Sequence, residues 1–217
     1  MDVVSIINIV AVILALLVAI IGHEIMHGRM AHYYGDTTAK EQNRFSINPI
    51  THIDPIGTIL VPAMLYIADA GFMFGWAKPV PVNMSKVFQN GGHLGGINVA
   101  LAGIYYNFFI AILALIALKT IPLDQSTLIG LFTVKTLFYL LIYNVILGTF
   151  NLFPLPPLDG SKALMFILSR LNFHTLANWI NKSERYGMII LLLIIATPLS
   201  QYFFAPIQAM VKLFLSL

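Results

Sequence analysis

Hydrophobic and polar positions alternate along the chain in long blocks rather than with a short period. Four mainly apolar stretches occupy residues 4–31, 94–118, 128–150 and 186–204. A helix needs about 20 mostly apolar residues to cross a bilayer, and each stretch meets that requirement. The pattern therefore predicts an all-α multi-pass membrane bundle, with a single domain over residues 1–217.

The stretch between the first two predicted spans breaks this pattern. Its apolar run, 56–74, is interrupted by Pro62 and Asp69 and leads into Gly-Trp-Ala-Lys-Pro-Val-Pro-Val-Asn at 75–83. Valine alternating with proline favours extended backbone over helix. Such backbone is tolerated at membrane depth only where protein buries it or a wet cavity adjoins it. We therefore expect 56–93 to be a broken, re-entrant region with a small extended or β segment.

Composition supports lipid as the solvent for most of the surface. Only 10% of the residues are charged and 59% are hydrophobic, whereas soluble domains carry about 25% charged residues. The absence of cysteine excludes disulfides and thiolate metal ligands. No basic stripe with interleaved aromatics indicates nucleic acid, so the lipid bilayer is the expected environment and nucleic acid is not an expected partner.

The placement of positive charge predicts how the chain lies in the membrane. Cytoplasmic loops retain Lys and Arg, and these residues follow the first span or lie between the last two. They are Arg29, Lys40, Arg44, Lys162, Arg170, Lys182 and Arg185. The run 3–21 lacks a basic start and a small-residue cleavage site, so it is a retained span rather than a signal peptide. We expect an outside N-terminus in the cell (inner or plasma) membrane.

A cluster of ionisable residues lies near the end of the first predicted span, in the sequence His23-Glu24-Ile25-Met26-His27. On a helix, positions i and i+4 share a face, so His23 and His27 can bind one metal ion. Zinc accepts imidazole nitrogen and activates a water, and Glu24 is placed to take its proton. Ionisable groups inside a span indicate function. The motif predicts a zinc hydrolase whose site opens towards the cytoplasmic side.

A third ligand must come from elsewhere in the chain. Asp159 is the leading candidate because prolines end the preceding span and let irregular backbone present its carboxylate. The same residue could instead cap a helix that starts beside it. His52, Asp54 and His93 are the rival third ligands.

With these motifs in place, the chain resembles the site-2 protease family of intramembrane zinc metalloproteases, in a minimal bacterial-type form without a PDZ insert. The resemblance is carried by Gly-His-Glu-Ile-Met-His-Gly at 22–28 and Asn-Leu-Phe-Pro-Leu-Pro-Pro-Leu-Asp-Gly at 151–160. Blocks at 45–58, 75–83 and 100–107 also resemble one bacterial branch of the family. One departure is Ile104, where relatives commonly have proline.

The resemblance implies roles for individual residues. One Zn²⁺ per chain would be held by His23, His27 and Asp159, with Glu24 as the general base. The segment containing Lys78, Pro79 and Val80 would resemble a re-entrant β-hairpin that pairs with an unwound substrate. Apart from the resemblance, Asn107 and Asn151 are predicted supporting residues: Asn107 would bridge helices or polarise the scissile carbonyl, and Asn151 would polarise that carbonyl.

Three functions fit the sequence. The first is a zinc-activated water hydrolysing peptide bonds in or near transmembrane segments of membrane proteins, that is, regulated intramembrane proteolysis. The second is a transporter or ion relay, because intramembrane His and Asp also mark ion pathways; no repeat between halves supports it. The third is a catalytically silent binder of the same fold, against which the intact Glu24 argues.

Overall fold

The computed structural model describes residues 2–69 and 74–217, and within these ranges the fold is helical without any β-strand. The helices are α1 (Val3–Tyr33), α2 (Thr38–Glu41), α3 (Val61–Ile67), α4 (Met84–Thr120), α5 (Leu128–Leu152), α6 (Asp159–Arg170), α7 (His174–Ala196) and α8 (Ser200–Ser216). A 3₁₀ turn (Pro49–His52) and a π-helical turn (Pro55–Leu60) precede α3.

Three helices, α1, α4 and α5, are long and apolar enough to cross a membrane. Helices α7 and α8 together could form a fourth, bent span, so the chain is a multi-pass membrane protein. The predicted start of the second span near residue 94 coincides with a kink inside α4. That kink is at Gly92, whose φ of +56° suits a residue without a Cβ.

The last predicted span, 186–204, is not one straight helix. Helix α7 ends at Ala196, α8 begins at Ser200, and the two meet at 87°. Pro198 lies in the break, and Thr197 before it is extended, with φ −116° and ψ 168°. Proline excludes helical backbone from its predecessor and lacks the N–H that would continue the helix. Hydropathy shows no interruption in this stretch, but the helix is interrupted between Ala196 and Ser200.

Small buried residues allow the three long helices to approach closely. Helix α1 buries Ala11, Ala15 and Ala19, which repeat every fourth residue along one face. Helix α4 packs against α1, α5 and α6, and its Ala111 meets Val145 of α5 in the apolar core. Small residues at such interfaces bring backbones together where lipid offers no hydrophobic driving force. This close packing fixes α4 beside α1, which matters for the site described below.

The predicted β segment is not seen as a strand. Residues 74–83 form an irregular segment, and residues 70–73 of the predicted re-entrant region lie outside the described residues. The segment is held by single hydrogen bonds to preceding turns, from Trp76 N to Gly57 O at 3.1 Å and from Lys78 N to His52 O at 2.9 Å. Two prolines in the segment lack the N–H groups that a ladder would need.

Candidate metal centre

Three side chains from two distant parts of the chain converge beside the C-terminal half of α1. His23 and His27 lie one turn apart on α1, with their Nε2 atoms 3.1 Å from each other. Oδ2 of Asp159 is 3.0 Å from Nε2 of His23 and 3.1 Å from Nε2 of His27. Among the described residues, these three form the group of His, Asp and Glu side chains that could hold a metal ion.

The orientation of both imidazole rings is set by α4. Nδ1 of His23 is 2.6 Å from the side-chain oxygen Oδ1 of Asn107, and Nδ1 of His27 is 2.7 Å from the backbone oxygen of Val99. Both partners are acceptors, so each Nδ1 carries the proton and donates. The lone pair of each ring is therefore on Nε2, directed at the point where the three side chains meet.

This arrangement fits a zinc ion. Three electron-pair donors lie within 3.0–3.1 Å of one another, which is repulsive unless a cation lies between them. Zinc forms bonds of about 2.0–2.1 Å to nitrogen and oxygen, so a tetrahedral ion separates its ligand atoms by about 3.3–3.4 Å. The side chains need to move by only a few tenths of an ångström. Three protein ligands also leave the fourth position that a catalytic site requires.

Asp159 is the first residue of α6, and it does not cap that helix. The residue before α6 is Leu158, and the Asp159 carboxylate is turned towards the two histidines instead. Its side chain is buried, which raises the pKa of the carboxyl. A proton on Nε2 of His27 or His23 makes that ring a cationic hydrogen-bond donor, and its attraction outweighs burial and holds the pKa of Asp159 well below its usual range. The carboxylate is thus ionised, as a metal ligand must be.

The rival third ligands lie elsewhere. His52 is hydrogen-bonded through Nε2 to the backbone oxygen of Ser46 at 2.8 Å. Oδ1 of Asp54 accepts backbone N–H groups at the start of the π-helical turn. His93 packs edge-on against the ring of Phe88.

Glu24 lies between the two histidines in sequence and next to the irregular segment in space. Its Oε2 accepts a hydrogen bond of 3.1 Å from the backbone N–H of Val80. Val80 is buried, and Pro79 lines the same cavities as Glu24. The side chain of Lys78 is exposed, but its backbone oxygen accepts a 2.8 Å hydrogen bond from Nη2 of the buried Arg44. The segment thus holds one oxygen of Glu24.

The two supporting asparagines differ in their surroundings. Asn107 is fully buried, and besides meeting His23 it donates to the oxygen of Ala19 at 3.1 Å and to Oδ1 of Asn144 at 2.9 Å. Its hydrogen-bonding groups are therefore engaged in orienting His23 and joining helices. Asn151 donates to the oxygen of Leu147 at 3.1 Å and lines a cavity beside Asp159.

Two cavities meet at the converging side chains. One, of about 570 Å³, has Asn181 and Glu184 in its wall. The other, of about 310 Å³, is walled by apolar residues of α5, α7 and the irregular segment. Four residues line both cavities: Glu24, Pro79, Asp159 and Lys162. The metal centre is therefore the junction of a larger, partly polar space and a smaller, mostly apolar one.

Sequence reasoning missed several contacts of this site. Val99 acts through its backbone oxygen, for which no sequence signal exists. Gly103 provides the space for the imidazole of His23, because a Cβ there would lie 2.4 Å from Cε1 of that ring. Lys162 did have a sequence signal, because it follows Asp159 by three residues and so lies on the same helix face. Its charge entered only the prediction of membrane orientation.

Comparison with known proteins identifies the family of the chain. The family model described as peptidase family M50 matches residues 120–195. The curated "Putative zinc metalloprotease YwhC" of Bacillus subtilis (strain 168) is 35% identical over 197 residues, covering 89% of this chain and 84% of that protein. No solved structure matches the chain. The predicted resemblance and the predicted zinc cofactor are thereby confirmed. The chain belongs to peptidase family M50, the site-2 protease family of zinc metalloproteases.

Proposed function

We propose that the protein is an intramembrane zinc metalloendopeptidase that hydrolyses peptide bonds in or near the transmembrane segments of other membrane proteins. The observation that carries the proposal is the convergence of His23, His27 and Asp159 beside Glu24, within a bundle of membrane-crossing helices. Membership of a family of membrane-embedded proteases supports membrane proteins as the substrate class.

The residues of the centre have distinct tasks in this reaction. Zinc held by His23, His27 and Asp159 supplies a Lewis acid that lowers the pKa of a water molecule towards neutrality. Glu24 accepts a proton from the attacking water while the oxygen of that water bonds to the carbonyl carbon of the substrate. The carbonyl electron pair moves onto the carbonyl oxygen and returns as the C–N bond breaks, and Glu24 delivers the proton to the departing nitrogen.

The irregular segment 74–83 is the proposed receiver of the substrate backbone. The N–H groups of Trp76, Lys78 and Val80 bond to the protein itself, to Gly57, His52 and Glu24. Alternate residues of an extended chain direct their N–H groups to one side. The opposite edge carries Pro79 and Pro81, which have no N–H, so it offers mainly backbone oxygens. An unwound substrate would donate its own N–H groups to these oxygens, in the manner of an added strand.

The proposed orientation directs the site towards the cytoplasm of a cell membrane. With the N-terminus outside, α1 ends inside with His23 and His27 in its inner half, and α6 lies on the same side. The positive residues Lys40, Arg44 and Arg170 then lie inside, as the charge rule requires.

The proposal is tested with the purified protein and a model transmembrane substrate. Replacing the general base in Glu24→Gln keeps the shape of the side chain and should lower the cleavage rate by about 10²–10⁴-fold. Zinc content should stay at that of the wild type, because Glu24 is not among the three converging ligands. Equal cleavage by both proteins would disprove the mechanism, and no cleavage by the wild type of any membrane-segment substrate would disprove the function.

A further inference from the structure

The side chain of Lys162 lies where the two cavities meet. It lines both of them, and among the residues that the structure describes it is the one Lys or Arg to line either. We propose that Lys162 is a catalytic residue that stabilises the negative charge on the substrate carbonyl oxygen during hydrolysis. The inference rests on the proposed function and adds a residue to it.

The position of Lys162 follows from its place on α6. It is three residues after Asp159, so both side chains lie on the same face of the first turn. Nζ of Lys162 is 3.7 Å from Oδ1 of Asp159, the carboxylate oxygen that does not face the histidines. The ammonium is therefore beside the metal ligands without occupying the point where the three ligand atoms meet.

The contact with Asp159 is too long to engage the ammonium fully. A charged N–H···O hydrogen bond is about 2.7–2.9 Å long, and the 3.7 Å separation exceeds it. The Lys162 side chain is also 43% exposed and lines both cavities. It thus keeps both freedom to move and N–H donors for a group that arrives with the substrate.

The reaction creates a negative charge at this place. As the water oxygen bonds to the carbonyl carbon, the carbonyl electron pair becomes a charge on oxygen, which needs donors placed in advance. Asn107, one predicted donor, has its hydrogen-bonding groups engaged with His23, Ala19 and Asn144. Lys162 donates to this oxygen while the charge exists. Its role is hydrogen bonding alone, because the charge returns to the carbonyl bond as the C–N bond breaks.

A role of Lys162 in positioning Asp159 would affect zinc binding and kcat differently. If Lys162 served only to hold the Asp159 carboxylate, its loss would weaken zinc binding and leave the zinc-loaded protein active. If it contacts the reacting oxygen, its loss leaves zinc binding intact and lowers kcat. In that case the loss of Lys162 also weakens the binding of a phosphinic peptide, whose tetrahedral anionic group resembles the reaction's transition state.

The experiment compares wild type, Lys162→Met, Lys162→Arg and the control Lys182→Met, each as the full chain with zinc, on a model transmembrane substrate. Lys182 is exposed on α7 and lines neither cavity. We expect Lys162→Met to lower kcat by about 10²-fold, the effect of losing one oxyanion donor. Its KM and zinc content should stay within about twofold, and its affinity for a phosphinic peptide should fall with kcat. Lys162→Arg should retain part of the activity and Lys182→Met all of it.

Several results would overturn the inference while the proposed function stands. If the wild type is active and Lys162→Met has the same kcat, the inference is wrong. Zinc loss that parallels the activity loss would assign Lys162 to metal binding instead. An activity loss confined to KM, or phosphinic-peptide affinity equal to that of wild type, would also exclude contact with the reacting oxygen.

Discussion

At the scale of single residues, the candidate metal centre depends on groups outside the three converging side chains. His23 and His27 direct Nε2 inwards only because Nδ1 of each ring donates to an oxygen on α4. For His27 that oxygen belongs to the backbone of Val99, which substitution cannot remove. For His23 it belongs to the Asn107 side chain, so this contact can be tested.

Asn107→Ala should weaken zinc binding. The variant removes the acceptor that fixes the tautomer of His23 and leaves Asn144 without its donor. Loss of such an outer partner typically lowers metal affinity about 10–100-fold. Competition with a chelator of known affinity measures the change. Asn98→Ala is the control, since Asn98 is also on α4 but donates to the hydroxyl of Tyr34 at 2.7 Å. Equal zinc affinity in both variants would contradict the prediction.

The residues of the site were predictable to different degrees. The His-Glu-x-x-His spacing implies the α1 half directly, and the structure brings Asp159 to it across 136 residues of sequence. Asp159 was one of four possible third ligands because sequence alone does not give the packing of α6 against α4. Val99 and Gly103 had no sequence signal, since one acts through its backbone and the other through its missing Cβ.

At the scale of elements, one carboxylate joins the end of α1 to the start of α4. Asp36 is 1% exposed, and its Oδ1 accepts the backbone N–H of Thr38 at 3.0 Å. Its Oδ2 accepts the backbone N–H of Asn83 at 2.6 Å. Burial raises the pKa of Asp36, but the hydrogen bond from the Thr38 hydroxyl, the two backbone hydrogen bonds and the charge of Lys86 outweigh it, so the pKa lies below its ordinary value.

This lowered pKa predicts how stability depends on pH. A carboxyl whose pKa is depressed in the folded state contributes stability above its unfolded pKa, about 3.9, and loses it as pH falls further. At pH 7, Asp36→Asn should cost about 1–3 kcal/mol, as for a buried hydrogen-bonded group. The difference from wild type should shrink below pH 4. Thermal melting of detergent-solubilised protein at pH 7 and pH 3 measures both.

Asp124→Asn provides the matched control for that experiment. Asp124 likewise accepts the N–H two residues ahead, from Ser126 at 2.9 Å, but it is exposed and bonds to no distant element. Its variant should shift the melting temperature far less than Asp36→Asn does. A similar shift in both variants would mean that the hydrogen bond from Asn83 N–H to Asp36 contributes nothing to stability.

Hydropathy predicted the apolar helices better than their breaks. Helices α1 and α5 lie within two residues of the predicted spans 4–31 and 128–150 at each end. The stretch 186–204 was taken as one span because hydropathy is insensitive to backbone, whereas Pro198 turns the chain there. Among the described residues, the predicted β segment is not seen as a strand, for a similar reason. Its alternation of valine and proline favours extended backbone, but prolines cannot supply the donors of a ladder.

At the scale of the whole molecule, orientation is the property that the charge pattern predicts most directly. With the N-terminus outside, the loop 121–127 lies outside and the polar stretch after α1 lies inside. The chain has no cysteine, so one introduced thiol reports one position.

Labelling of single-cysteine variants tests this orientation. A membrane-impermeant maleimide applied to intact cells should label Ser126→Cys in the outer loop. It should label Gln42→Cys, which is exposed in the inner loop, only after permeabilisation. The reverse result would turn the metal centre towards the other side of the membrane.

The distribution of the centre over the chain also has a consequence for biosynthesis. Both histidines and the groups that orient them are complete once α4 has been made, whereas Asp159 follows His23 by 136 residues. At about 5–20 residues per second, the ribosome needs roughly 7–27 s to bridge that interval. During it, the nascent chain has two of its three proposed zinc ligands. We therefore expect the protease to be inert among the unfolded segments at its site of insertion until Asp159 joins the two histidines.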